Sequence, residues 1–323
     1  MTTSAARTCA RLAVLSEYAQ DWAKAVGRWR AASGAAGAGI AGGDEAQLYQ
    51  TLLGAWPPGL AADDAAGLAA YGERVLGWWR KALREAKLAT SWTAPDAGYE
   101  AACEAFLARL TGSAALYPLR AEIAAFAARI EAAGRANGLV QAFLKCVCPG
   151  APDIYQGCEF ADLSLVDPDN RRPVDYAARA AALERGARAS PAAALAAGDY
   201  DGAKQGLIAG ALAARRAHAD AFAGADYAPL AASGPRAAHV LAFRRGPVVC
   251  AAAIRTARAL EGRATPPADW WGETAIEVPG PWRDPLSGTE GWGTEGERGD
   301  GRGGAAPARE LFAALPVALI LPR

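Results

Sequence analysis

The sequence predicts an α+β protein, and three observations predict it. Apolar residues recur at helical spacing through most of the first 223 positions, and short β-type runs bounded by Gly, Pro or Ser follow from 224 onward. Between these textures, the segment 149–176, PGAPDIYQGCEFADLSLVDPDNRRPVDY, concentrates turn-forming and charged residues in an otherwise Ala-rich chain. The expected parts are a helical region at 1–148, a strand with a polar rim loop and closing helices at 149–223, and an all-β domain at 224–323. A chain of 323 residues is long enough for two domains and a large core.

In chain order, Leu12, Leu15, Trp22, Val26 and Trp29 give an amphipathic helix over 11–34, with Ser16 placed to cap the segment from Glu17. The Gly- and Ala-rich run 31–47 reads as a flexible loop. The apolar run 49–56 is stopped by Pro57 and Pro58, and its Trp56 reads either as core packing or as an aromatic platform. A long helix over 63–89 carries Leu68, Tyr71, Val75, Leu76, Trp79, Leu83 and Leu88, with Arg84 and Lys87 three apart on one face. It ends at Thr90, Ser91 and Trp92, ahead of Pro95. A cation, two hydroxyls and an indole there either line a binding groove or compensate the helix dipole and close a turn.

Further helices are expected at 99–110 and 118–132, then an apolar run at 138–148, then helices at 176–185, 191–197 and 207–222. The β-type runs fall at 227–230, 239–243, 247–254, 274–278, 282–284 and 316–321, with a long loop over 286–306. Trp270, Trp271 and Trp292 serve either the core of this β module or a stacking surface.

The segment at 149 must turn, because Pro149 and Pro152 remove donors while Gly150 frees the backbone. The run 153–156 then reads as a buried strand ended by Gly157, delivering Tyr155, Gln156 and Glu159 to its rim. Asp167, Asp169, Asn170, Arg171 and Arg172 follow within a few residues. Carboxylates that accept and guanidiniums that donate suit a polyhydroxylated ligand, and the same residues suit an Asp-capped turn before the helix at 176.

Composition excludes several classes. Hydrophobic residues make up 52% of the chain, and 34 basic residues against 34 acidic ones argue against a nucleic-acid partner. There is no apolar run of about 18 residues, and Arg7 and Arg11 interrupt the N-terminal stretch, so no membrane partner and a cytoplasmic location are expected. Cys9, Cys103, Cys146, Cys148, Cys158 and Cys250 match no common zinc spacing and read as reduced thiols; neither a metal nor a cofactor is expected. His218 and His239 lie outside the motif region, which leaves a histidine-based nucleophilic mechanism without support.

PGAPDIYQGCE resembles the last barrel strand of α-amylase-type glycoside hydrolases, with their Gly-x-Pro-x-x-Tyr-x-Gly-x-Glu pattern. YQTLLGAWP at 49–57, KALREAKLATSW at 81–92 and SLVDPDNRRPVD at 164–175 together resemble the maltooligosyltrehalose synthase family, in that family's order. The resemblance implies the helical subdomain and the last strand and helix of a (β/α)8 barrel, followed by a C-terminal antiparallel β-sandwich. It implies an isomerase that converts the reducing-end α-1,4 link of a maltooligosaccharide to an α,α-1,1 link in trehalose biosynthesis.

On that footing Tyr155, Gln156 and Glu159 line the rim near the oligosaccharide. Asp167, Asp169, Asn170, Arg171 and Arg172 hold hydroxyls on the acceptor side, and Lys87 and Trp92 help confine the cleaved glucose. Glycosyl transfer needs two carboxylates about 5 to 5.5 Å apart in a retaining enzyme. In the family these precede the RLAVLSE-like segment, and the register puts Met1 where the first aspartate of a THDTKRSED-like run would stand. No catalytic residue is therefore carried over. The chain is expected to be inactive alone, to need an N-terminal barrel half as partner, and without it to be poorly soluble or to associate, through the unpaired edges of the strand at 153–156 and the uncovered apolar faces of the helices. Two other readings stay open: another α-amylase-type glucan hydrolase or transferase, and a non-catalytic glucan-binding remnant.

Overall fold

A computed structural model describes residues 6–165, 169–224, 226–292 and 304–323. They form helices and antiparallel sheets in two compact units, one of Met1–Glu131 with Asp162–Pro173, the other of Ala132–Ala161 with Val174–Arg323. Compactness thus divides the chain otherwise than texture does.

In the first unit α1 (Ala6–Ala13), α2 (Ala19–Ser33), α3 (Gly42–Ala55), α4 (Ala65–Ala86) and α5 (Ala97–Gly112) pack with the first half of α6 (Tyr117–Val147). Trp29, 1% exposed, sits edge-on to Tyr49 at 5.4 Å and to Phe126 at 6.1 Å. A helix end leaves carbonyls without partners, and at the end of α3 the buried Arg11 supplies them. Its guanidinium donates to Leu53 O at 3.1 Å, Gly54 O at 3.3 Å and Trp56 O at 2.8 Å, and pairs with Glu131. Trp56 is buried, donates from its indole to Leu60 O at 3.1 Å and meets Tyr71 edge-on, so it is core and no platform.

Four local expectations are corrected here. Ser16 caps nothing, since its hydroxyl donates back to Ala13 O, and α2 starts after Tyr18 with no side-chain cap. The loop expected at 31–47 shrinks, because α3 begins at Gly42. Buried Glu45 in its first turn accepts from Ser33 Oγ at 2.9 Å and from Tyr49 OH at 2.7 Å. Leu88, expected to face inward, is 84% exposed beyond the end of α4. The two segments expected at 118–132 and 138–148 are one helix of 31 residues.

In the second unit the later half of α6 joins α7 (Tyr176–Gly186), α8 (Pro191–Ala196), α9 (Tyr200–Ala217) and α10 (Ala219–Ala223). Gly138 lies inside α6 where Tyr200 comes close: a β-carbon there would come within 2.5 Å of the Tyr200 hydroxyl, which donates to Arg135 O at 3.1 Å. The strands follow as β1 (Tyr227–Leu230), β2 (Ala232–Ser233), β3 (Val240–Arg245), β4 (Val248–Ala253), β5 (Ala275–Val278), β6 (Pro281–Arg283), β7 (Glu290–Trp292), β8 (Gly304–Pro307) and β9 (Val317–Pro322), with one-turn helices at Ala257–Leu260 and Ala308–Leu311.

One antiparallel sheet runs β1-β3-β4-β9-β6-β7 and a second runs β2-β5-β8. All of β4 is buried, which its unbroken apolar run VVCAAA requires. Phe243, Val248, Cys250 and Leu319 pack with Leu139, Phe143 and Leu207 of the helices. On the other face Val249, Ala251 and Ile320 pack with Ile276 and Val278 of the second sheet and with Trp271.

The strand expected at 153–156 is not formed: residues 151–155 belong to no ladder, and a turn begins at Gln156. A strand exists only with a hydrogen-bonded neighbour, and no described strand pairs with this run. Part of the loop expected at 286–306 is strand, in β7 and β8. Positions 293–303, the Trp292 side chain and Asp167 lie outside the described residues.

Candidate functional site

The residues singled out in the sequence fall in three places, two in the first unit and one in the second. The first is the segment Asp162–Pro173, which closes on Asp169. Arg74 on α4 donates to both carboxylate oxygens, Nε at 3.1 Å and Nη2 at 2.9 Å, while Leu165 N–H adds a bond of 2.8 Å and Arg172 Nε stands 3.3 Å away. Arg74 also holds Leu163 O at 3.1 Å. Burial alone would raise the pKa of Asp169, but the Arg74 and Leu165 donors outweigh it and hold the carboxyl below its usual value.

Arg172 folds back, donating to Asp169 O and Ser164 Oγ, each at 3.0 Å. Asn170 is half-buried and Arg171 exposed on the 3-10 turn Asp169–Arg171. Asp169 thus shapes the loop, and a group held ionised in this way is a poor proton donor at neutral pH. Asn170, Arg171 and Arg172 are the members turned at least partly outward.

The second place is the end of α4. Lys87 terminates the helix in the left-handed region at φ 56°, which takes it off the face it was expected to share with Arg84. Arg84 turns to Glu100, with bonds of 2.8 and 2.7 Å, and lies 4.9 Å over the Trp92 ring. These two bonds chiefly pull Glu100 down to about 2. Thr90 donates to Glu100 at 2.7 Å and accepts from Asp96 N–H at 3.0 Å, and Ser91 closes a turn by accepting from Ala94 N–H. Both hydroxyls are spent on structure, while Lys87 is exposed and the Trp92 indole half-exposed. Arg74 and Arg84 are ten residues apart, so α4 is a rod presenting two polar knots about 15 Å apart along its axis.

The third place, in the second unit, is the turn at 155–161. Gly157 adopts φ 84°, open to glycine and costly for other residues, and Cys158 N–H donates to Tyr155 O at 2.9 Å. Tyr155 is half-buried and Gln156 exposed. Glu159 faces Arg179 of α7, with Nε and Oε2 3.4 Å apart. Lys204 and Asp201 of α9 fix the end of the turn, Lys204 donating to Phe160 O at 2.8 Å and Asp201 accepting from Ala161 N–H at 2.7 Å.

The partners Arg74, Glu100, Arg179 and Lys204 were not singled out in the sequence. Nor was a groove of about 680 Å³ along α4 and α5, lined by residues that include Leu68, Leu76, Leu107, Glu73 and Tyr117. No group of three or more His, Cys, Asp or Glu side chains among the described residues is arranged to hold a metal. No two of the six cysteines form a disulfide, and burial pushes the thiols of Cys103 and Cys146 up to about 11. No described helix is long and apolar enough to cross a membrane.

No family model matches the chain. A Mycobacterium tuberculosis protein described under the name maltooligosyl trehalose synthase is 35% identical over 313 residues, 97% of this chain and 35% of its own length. The solved maltooligosyltrehalose synthase of Arthrobacter ramosus is 32% identical and superposes with a TM-score of 0.71, over 98% of this chain and 36% of that one. The chain belongs to the maltooligosyltrehalose synthase family. It spans about a third of the length of the relatives it matches. A Sulfolobus tokodaii structure titled a hypothetical maltooligosyl trehalose synthase shares the fold, with a TM-score of 0.65 at 23% identity over 97% of this chain.

The runs that resemble the maltooligosyltrehalose synthase family coincide with the knots just described. YQTLLGAWP holds the α3 end that Arg11 satisfies, KALREAKLATSW holds Arg84 with Thr90 and Trp92, and SLVDPDNRRPVD holds Ser164, Asp169 and Arg172.

Proposed function

We propose that this chain is the C-terminal, glucan-holding portion of an intramolecular glucosyl transferase. The transferase would convert the reducing-end α-1,4 link of a maltooligosaccharide to an α,α-1,1 link, within trehalose biosynthesis in the cytoplasm. The observation that carries the reading is the match over nearly the whole chain to proteins named for that synthesis, at 35% identity in one case and a TM-score of 0.71 in another.

In this reading the helices at 1–148 form a subdomain inserted in an α-amylase-type barrel. The segment 149–223 supplies the barrel's last strand, rim and closing helices, and the sheets at 224–323 form an appended β-sandwich. Residues 153–156 take up strand pairing when the neighbouring barrel strand is present.

Among the described residues, the roles fall to groups that are at least partly exposed. Tyr155, Gln156 and Glu159 accept and donate at the rim. Asp167, Asn170, Arg171 and Arg172 hold hydroxyls on the acceptor side, over a loop that Asp169 shapes, and Lys87 and Trp92 confine the released glucose. Confinement favours return through the anomeric hydroxyl over capture by water. Asp169, held ionised by Arg74, does not suit the proton-donating member of the reactive carboxylate pair. The reading places that pair in the part of the relatives' length that this chain does not span.

The test is incubation of the purified chain with maltopentaose, alone and mixed with the N-terminal portion of a family member, followed by product separation. Trehalose-ended product is expected only from the mixture; product from the chain alone would overturn the division of labour. Binding of maltopentaose without product in either case would favour a glucan-binding remnant.

A further inference from the structure

The turn that carries Glu159 is gripped by a residue that none of the sequence motifs contains. Arg179, on the first turn of α7, has a side chain only 17% exposed and uses its whole guanidinium locally. Nη2 donates to Gly157 O at 2.6 Å, Nη1 donates to Asp175 O at 2.9 Å, and the plane lies 4.5 Å over the Phe160 ring. Its Nε is left facing Glu159 Oε2 at 3.4 Å, and both atoms are out of contact with water and have no other hydrogen-bond partner.

The Gly157 conformation belongs to the same arrangement, since a β-carbon there would stand 3.3 Å from Arg179 Nη2 and 3.0 Å from Val174. Glu159 as a whole is 29% exposed although Oε2 is sealed. What solvent reaches is therefore the other edge of the side chain. A carboxylate fixed by one oxygen and open at the other is prepared to accept from a sugar hydroxyl, because the entropy of orienting it is already spent.

We propose that Arg179 is the positioning residue for Glu159, locking the Gly157 turn and the sealed carboxylate oxygen so that the open oxygen accepts a hydroxyl of a bound α-glucan. The inference rests on the glucan reading for its ligand, whereas the hold on the turn stands without it.

Two measurements on the full 323-residue chain test it. In maltopentaose titrations, Arg179→Met and Glu159→Gln are each expected to weaken affinity about tenfold, roughly 1.4 kcal/mol. The double variant should be no weaker than the weaker single, and Arg179→Lys, which keeps the charge but not the fork, should recover only part. Additive losses, or an Arg179→Met chain that binds as well as the parent, would overturn the proposal. Equal unfolding midpoints for Glu159→Gln and the parent show that the losses are not unfolding. Amide hydrogen exchange over 157–161, without ligand, should quicken about tenfold in Arg179→Met and not in Glu159→Gln. Unchanged exchange overturns the hold itself, whereas a parent chain that ignores maltopentaose but shows the exchange difference overturns the glucan reading alone.

Discussion

Two buried aspartates, one in each unit, meet the same desolvation with opposite results. Asp169 is 9% exposed and Asp284 2% exposed, and both accept backbone and side-chain bonds. Asp284 takes Leu286 N–H and Ser287 Oγ, each at 2.9 Å, and burial still pushes it up to about 6. Asp169 takes Leu165 N–H and a bidentate guanidinium, and its pKa falls. The deciding difference is formal charge. Neutral donors soften the cost of burying a carboxylate, and a cation in contact reverses its sign.

Removing the cation breaks the comparison most directly. Arg74→Met leaves Asp169 buried without a counter-charge and is expected to cost about 3 kcal/mol in urea unfolding at pH 7. Part of the loss should return as acid protonates Asp169; a loss under about 1 kcal/mol would mean the pair is not what holds the loop. Asp284 sharpens the contrast through pH. A folded pKa above the unfolded one means that the native state binds the extra proton, so stability is full below about 4, falls as pH rises, and levels off above about 6. Asp284→Asn should flatten that decline, on the order of 2 kcal/mol. Asp169 has the opposite sign, contributing above the usual carboxylate range and losing its contribution as pH falls through its lowered folded pKa. The smallest effect expected is that of Ser287→Ala, about 1 kcal/mol, with the Asp284 titration followed by NMR moving further up. A downward move would show that the hydroxyl does not stabilise the ionised form.

Some local signals stand in the sequence, although the cap expected at Ser16 does not form, and distant partnerships are not legible. Asp64, Asp96, Asp175, Ser190 and Asp199 each accept from a backbone N–H at the start of a helix, and the bond closes within three residues. The apolar run of β4 announces burial on both faces in the same local way. By contrast, Arg74 is separated from Asp169 by 95 positions and Arg179 from Glu159 by 20, and nothing near either arginine marks its partner. Gly138, which begins the apolar run expected at 138–148, lies inside α6 with the Tyr200 hydroxyl 62 positions away against it, a contact that nothing near the glycine marks. The run 153–156 has strand composition and no strand, because pairing depends on a neighbour that composition does not supply.

The sheet that begins after residue 224 borrows one of its two cores. Phe243, Cys250 and Leu319 lean on Phe143 and Leu207, so a cut at the change of sequence texture would lay bare a greasy wall. Shuffling this β module onto another enzyme would have to bring α6 and α9 along with it. The inherited unit is the helices and the sheet together.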